Sequence, residues 1–149
     1  MPRPAAITLF DRLYLLSILV YVVNAAFSWG KMQAVMLEQP AVQANPAMGP
    51  VITGAAIGWL VVVVLVSVLF WWLVSRARSQ AGKWLVLVTE AVGVLIGLWA
   101  LVQLARGVSP NAPGTAIGLV STVLAAAAGA MLLRADAQPW FAGDAERLA

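Results

Sequence analysis

Four stretches of this chain are each about twenty residues long and nearly free of charge. That pattern leaves few folds open. They run over residues 7–29, 51–74, 84–105 and 114–133; the second and fourth carry no charged side chain and the third carries only Glu90. A hydrocarbon layer about 30 Å thick is crossed by about 20 mostly apolar residues in a helix. The β-branched run Val61–Val64 favours a strand in water, but an isolated strand in lipid leaves its backbone groups unpaired, so length decides for helix. All eight prolines fall outside the four stretches or at their edges, where the missing N–H costs least.

Composition agrees. Hydrophobic residues make up 62% and charged residues 10% of the 149, against about 45–50% and about 25% in soluble domains. A soluble domain of this size buries only about 70% of what its unfolded chain exposes, so the expected solvent is lipid. The predicted fold is all-α: an integral membrane four-helix bundle, multi-pass, with short loops. The absence of Cys and His removes thiolate nucleophiles, disulfides, imidazole bases and the usual zinc sites. No metal site and no cofactor are expected.

Lys and Arg set the orientation. Arg3, Arg12, Arg76, Arg78, Lys83, Arg134 and Arg147 flank one side, and Lys31 and Arg106 the other. Seven of the nine basic residues on one side place both termini in the cytoplasm. The net charge of +3 then reads as membrane orientation, and no nucleic-acid partner is expected. Trp29, Trp71, Trp72 and Trp84 mark the interfaces, while Trp59 and Trp99 lie deeper, packed between helices or against acyl chains. Arg3, Arg12, the run Leu13–Val23 and Val23-Asn24-Ala25 also have the look of a secretory leader. Asp11 is out of place in one, and the stretch is expected to remain as the first spanning helix. Residues 30–50 form the outer loop, in which Met32, Val35, Met36 and Gln39 have the spacing of a short surface helix. Residues 135–149 form a polar cytoplasmic tail whose Trp140 and Phe141 return to the inner interface.

Buried polar groups are costly in hydrocarbon and mark candidate sites. Glu90 and Arg12 have matching depths and opposite charge, about 9 Å and 7.5 Å into their helices. They are expected to form a buried ion pair, with Asp11 sharing the arginine. Asn24 and Gln103 match in the outer half and form an expected amide pair. Glu90 and Gln103, about 220° apart on one helix, cannot both face the same neighbour. Tyr14, Ser17, Tyr21, Asn24 and Ser28 are spaced three, four, three, four, a polar seam along one face. Gly54 and Gly58, Gly93 and Gly97, and Gly114, Gly118 and Gly129 are small-residue positions where helices approach closely. The Gly and Ala faces of the second and fourth stretches, Gly118 and Gly129 above all, are expected to seat a partner helix.

The opening Arg3-Pro4-Ala5-Ala6-Ile7-Thr8-Leu9-Phe10 and the closing Leu132-Leu133-Arg134 with Pro139-Trp140-Phe141 resemble small, uncharacterised bacterial inner-membrane proteins with four predicted helices. The resemblance covers the two ends and the hydropathy plan. It implies the topology and a bacterial inner membrane, with no activity to carry over.

An enzyme finds little support: the six acidic residues show no acid–base pairing, and there is no phosphate loop or ligand cluster. A channel needs charged rings or broken helices, and one chain offers a single spanning-segment carboxylate besides Asp11, unless a homo-oligomer multiplies Glu90 into a ring. The expected role is a non-enzymatic accessory protein that packs with other membrane helices, as a subunit or small homo-oligomer. The alternative is binding or transport of a lipid or small apolar molecule at the Glu90/Arg12 and Tyr21/Asn24 positions.

Overall fold

A computed structural model describes residues 3–145, and every element in it is helical. Helix α1 spans Ala5–Leu37, α2 Pro40–Ala44, α3 Met48–Ser75, α4 Gln80–Ala105 and α5 Ala112–Met131; a 3-10 turn at Ala135–Ala137 leads into α6, Gln138–Ala145. The four long helices are each long and apolar enough to cross a membrane.

Their limits differ from expectation in one instructive place. Helix α1 runs for 33 residues, about 50 Å at 1.5 Å per residue. Met32, Val35 and Met36 therefore continue α1 and do not form a separate surface helix. Gly30 alone, at about 1 kcal/mol, does not stop it. The helix ends where Gln39 turns extended (ψ 138°) ahead of Pro40, as a residue before proline must.

α5 packs along most of α1, α4 packs on α5 and α3 on α1; α3 and α4 touch less, and the diagonal pairs α1–α4 and α3–α5 barely meet. Each long helix turns one stripe inward. On α1 the buried residues Ile7, Phe10, Tyr14 and Ser17 are spaced three, four, three; on α5 Gly114, Ser121 and Ala128 recur every seven. Two interhelical hydrogen bonds tie this central pair: Ser121 Oγ donates to the Ser17 carbonyl at 2.9 Å, and Asn24 Nδ2 to the Gly114 carbonyl at 2.9 Å. Outward, the surface is apolar. Phe27 is 83% exposed, Trp59 68% and Trp99 62%, so the two deeper tryptophans are not interior packing residues.

The close-packed core sits at the end that holds both described termini. Ile7, Phe10, Val74, Val86, Leu132, Trp140 and Phe141 form one apolar cluster there. The tail is therefore no loose extension. Trp140 Nε1 donates to the Val74 carbonyl at 3.1 Å, Lys83 Nζ to Gln138 Oε1 at 3.0 Å, and the Ala6 N–H to Asp136 Oδ2 at 3.2 Å. That carboxylate supplies α1 with the cap that Pro4 cannot give. Arg78, in the α3–α4 turn, has φ 56°, a left-handed conformation unusual for a side chain this large; its guanidinium lies 4.1 Å from the Trp140 ring centre. Arg147 lies outside the described residues.

Candidate functional site

Above the packed end the four inward stripes separate and leave a cavity of about 230 Å³. Tyr14, Ser17 and Tyr21 reach it from α1, Ser67 from α3, Thr89, Glu90 and Gly93 from α4, and Ser121 and Thr122 from α5; Ile18, Val63, Val64 and Ala125 complete the wall. The sequence places these residues here by period alone. Glu90 stands between Val86 and Gly97, both buried on α4, and Tyr14 lies one turn beyond buried Phe10, on whose ring it stacks at 5.1 Å. The cavity is not sealed: Glu90 is half-buried and Thr89 exposed.

Small residues make the space for the carboxyl. A Cβ on Gly93 would sit 3.9 Å from Glu90 Oε2, and one on Gly129 would sit 3.7 Å from Glu90 Cγ. The hydroxyls do not serve Glu90. Ser17 Oγ donates to the Tyr14 carbonyl at 2.7 Å, Ser67 Oγ to that of Val63 at 2.8 Å, Thr89 Oγ1 to that of Leu85 at 2.7 Å, and Thr122 Oγ1 to that of Gly118 at 3.2 Å. Among the described residues the Glu90 carboxylate receives no hydrogen bond and has no cation within 4.0 Å; the two ion pairs found are Arg3–Asp11 and Arg134–Asp136.

The expected Arg12–Glu90 pair is therefore not formed. Depth was matched, but azimuth was not: Arg12 is two residues from both Phe10 and Tyr14, about 200° around the helix, and is exposed. Asp11 pairs with Arg3 instead and accepts from Trp71 Nε1 at 3.0 Å. The Asn24–Gln103 pair is absent as well, since Asn24 bonds to Gly114 and accepts from Ser28 Oγ at 3.2 Å, while Gln103 lines neither this cavity nor the next. The seam Tyr14, Ser17, Tyr21, Asn24 and Ser28 does share one face. Its outer members border a second cavity of about 360 Å³ between α1 and α3, with Met32, Met36 and Trp59, and Tyr21 stands in the wall of both.

The glycines divide. Gly97 meets Thr122 (3.0 Å to a Cβ), Gly118 meets Asn24 (3.5 Å), Gly129 meets Glu90 and Leu87, and Gly114 meets Ser28 and Asn111. Gly118 and Gly129 thus serve contacts within the bundle and leave no face there for a partner helix. Gly54 and Gly58 meet nothing within 4 Å and are not packing positions in this chain. Sequence reasoning missed Ser67 and Ser121 as site residues. For Ser67 the available signal was its being one of two hydroxyl residues, with Thr53, in the uncharged stretch 51–74.

A single carboxyl, that of Glu90, faces Ser and Thr hydroxyls that are engaged with the backbone, with Tyr14 and Tyr21 in the same wall. No group of three potential metal ligands occurs among the described residues. Comparisons with family models, curated proteins and solved structures find no match to this chain.

Proposed function

We propose that the chain is a non-enzymatic, multi-pass protein of a bacterial inner membrane, both termini cytoplasmic, that binds a small molecule reaching its interior from the bilayer. The apolar exterior and the four long helices support the membrane setting; the basic residues gathered at one end support the orientation; the two ends of the sequence support the bacterial inner membrane. One observation carries the binding role. The Glu90 carboxyl faces an open cavity of about 230 Å³ with no hydrogen-bond or ion-pair partner among the described residues, in a setting where uncompensated polar groups are costly.

A packed accessory subunit needs no such space. A tight four-helix bundle would close on apolar side chains, and the packed end of this molecule does close in that way. The measurement is extraction. Protein purified from its native membrane in mild detergent is denatured with organic solvent, and the released small molecules are identified by mass spectrometry. Wild type releases a compound that Ser67→Phe and Ala125→Phe, which fill the cavity, do not, while both variants keep their helical circular dichroism. Identical extracts from wild type and both folded variants overturn the reading.

Packing against another membrane helix is the second reading, and α3 favours it: it is the least covered of the long helices, with Gly54 and Gly58 open on its surface. Co-purification of a second membrane chain, lost in Gly54→Leu with Gly58→Leu, would support it.

A further inference from the structure

The chemistry of the cavity wall specifies more than its volume. Ser67, Thr89, Ser121 and Thr122 each donate their single hydroxyl proton to a backbone carbonyl. A hydroxyl has one donor and two acceptor lone pairs, so what these four offer a ligand is acceptor capacity. Glu90 adds two further acceptor oxygens with no hydrogen bond from a described residue. The Tyr14 and Tyr21 rings stand in the same wall, and tyrosine faces attract cations within about 6 Å. Acceptors, a carboxyl group and two tyrosines with their ring faces and hydroxyls converge, and among the described residues no Lys or Arg lines the space.

An anion would meet repulsion here, and a purely apolar guest would leave the carboxyl uncompensated. We infer that the ligand is a primary ammonium on a small apolar body, held by Glu90 through charge-assisted hydrogen bonds, with the neighbouring hydroxyls as further acceptors and the tyrosine rings against its charge. A primary ammonium presents three donors, as a lysine side chain does, whereas a quaternary one presents none. A water occupies about 30 Å³ of liquid, so about 230 Å³ equals some seven or eight waters and suits an amine of modest size. The ammonium belongs either to a free amine or to the ethanolamine headgroup of a lipid; the recognition chemistry is the same. This inference rests on the ligand-binding reading above and adds its charge class.

The probes are benzylammonium and the neutral benzyl alcohol, measured by equilibrium dialysis against the full chain in nanodiscs of phosphatidylcholine, which carries no N–H donor, with empty nanodiscs as the blank. Wild type is expected to bind benzylammonium at least tenfold more tightly than benzyl alcohol. Glu90→Gln abolishes that preference, and Glu90→Asp, which keeps the charge, retains most of it. Adding phosphatidylethanolamine to the nanodiscs weakens benzylammonium binding if the headgroup is the occupant and leaves it unchanged if a free amine is; either result supports the assignment. Equal affinity of wild type for the two probes, no binding of either, or an undiminished preference in folded Glu90→Gln overturns it. A compound without an amine in the native extract overturns this inference alone and leaves the ligand-binding reading standing.

Discussion

Single positions carry very unequal weight in this bundle, and glycine shows it best. A Cβ at Gly114 would collide with the Ser28 hydroxyl and the Asn111 amide. The first belongs to the seam of α1, and the second caps α5 by accepting from the Gly114 N–H at 3.3 Å. Gly114→Ala is expected to lower stability by about 1–3 kcal/mol through forced displacement of both. Gly54→Ala, with nothing within 4 Å, is expected to be neutral or to stabilise by up to about 1 kcal/mol, the helix-propensity difference. Thermal unfolding of both variants in one detergent checks the pair; similar destabilisation by the two would contradict the described packing. The same contrast shows what was legible at this scale. Glycine spacing flagged both positions alike, because a one-dimensional pattern reports that backbones can approach and not that they do. Arg12 teaches the same lesson: its depth matched Glu90, but its distance of two residues from both Phe10 and Tyr14 already placed it on the other face.

Among the elements, the four long helices were readable because hydropathy over twenty residues is a strong, local signal, and the polar seam of α1 because 3.6-residue periodicity is too. What escaped was set by distant partners. Helix α6 is eight residues long, too short to stand alone in water, and forms where Trp140 and Phe141 find the apolar end of the bundle. The cavity escaped because it is defined by the divergence of four helices, which no one of them encodes. Trp140→Ala is expected to cost about 3 kcal/mol, the low end for a buried aromatic, since it removes the ring between Arg78 and the core and the bond to Val74. Limited trypsin digestion provides the check: cleavage at Arg134 should become much faster in the variant, while the site at Arg106, in the α4–α5 turn, keeps its wild-type rate. An unchanged rate at Arg134 would mean that the tail is held by something other than this ring.

For the whole molecule the weight lies at one end. That end is closed by the apolar cluster and by the polar ties of Arg3, Asp11, Ser75, Lys83 and Gln138; Arg3 Nη2 reaches Ser75 Oγ at 2.5 Å. Away from it the helices separate around two cavities that share Tyr21. Basic charge follows the same axis, with only Lys31 and Arg106 of the described Lys and Arg residues toward the open end. A reporter active only in the periplasm should therefore be silent when fused after Ala149 and active when inserted after Asn45, between α2 and α3. The reverse pattern would invert the molecule and with it the assignment of the packed end to the cytoplasm. The bond from the Ala6 N–H to Asp136 joins positions 130 residues apart. During synthesis the Ala6 N–H thus lacks this acceptor until Asp136 has been added, 130 residues later. A ribosome that stalls before Asp136 leaves behind a bundle whose α1 has no carboxylate at its opening turn.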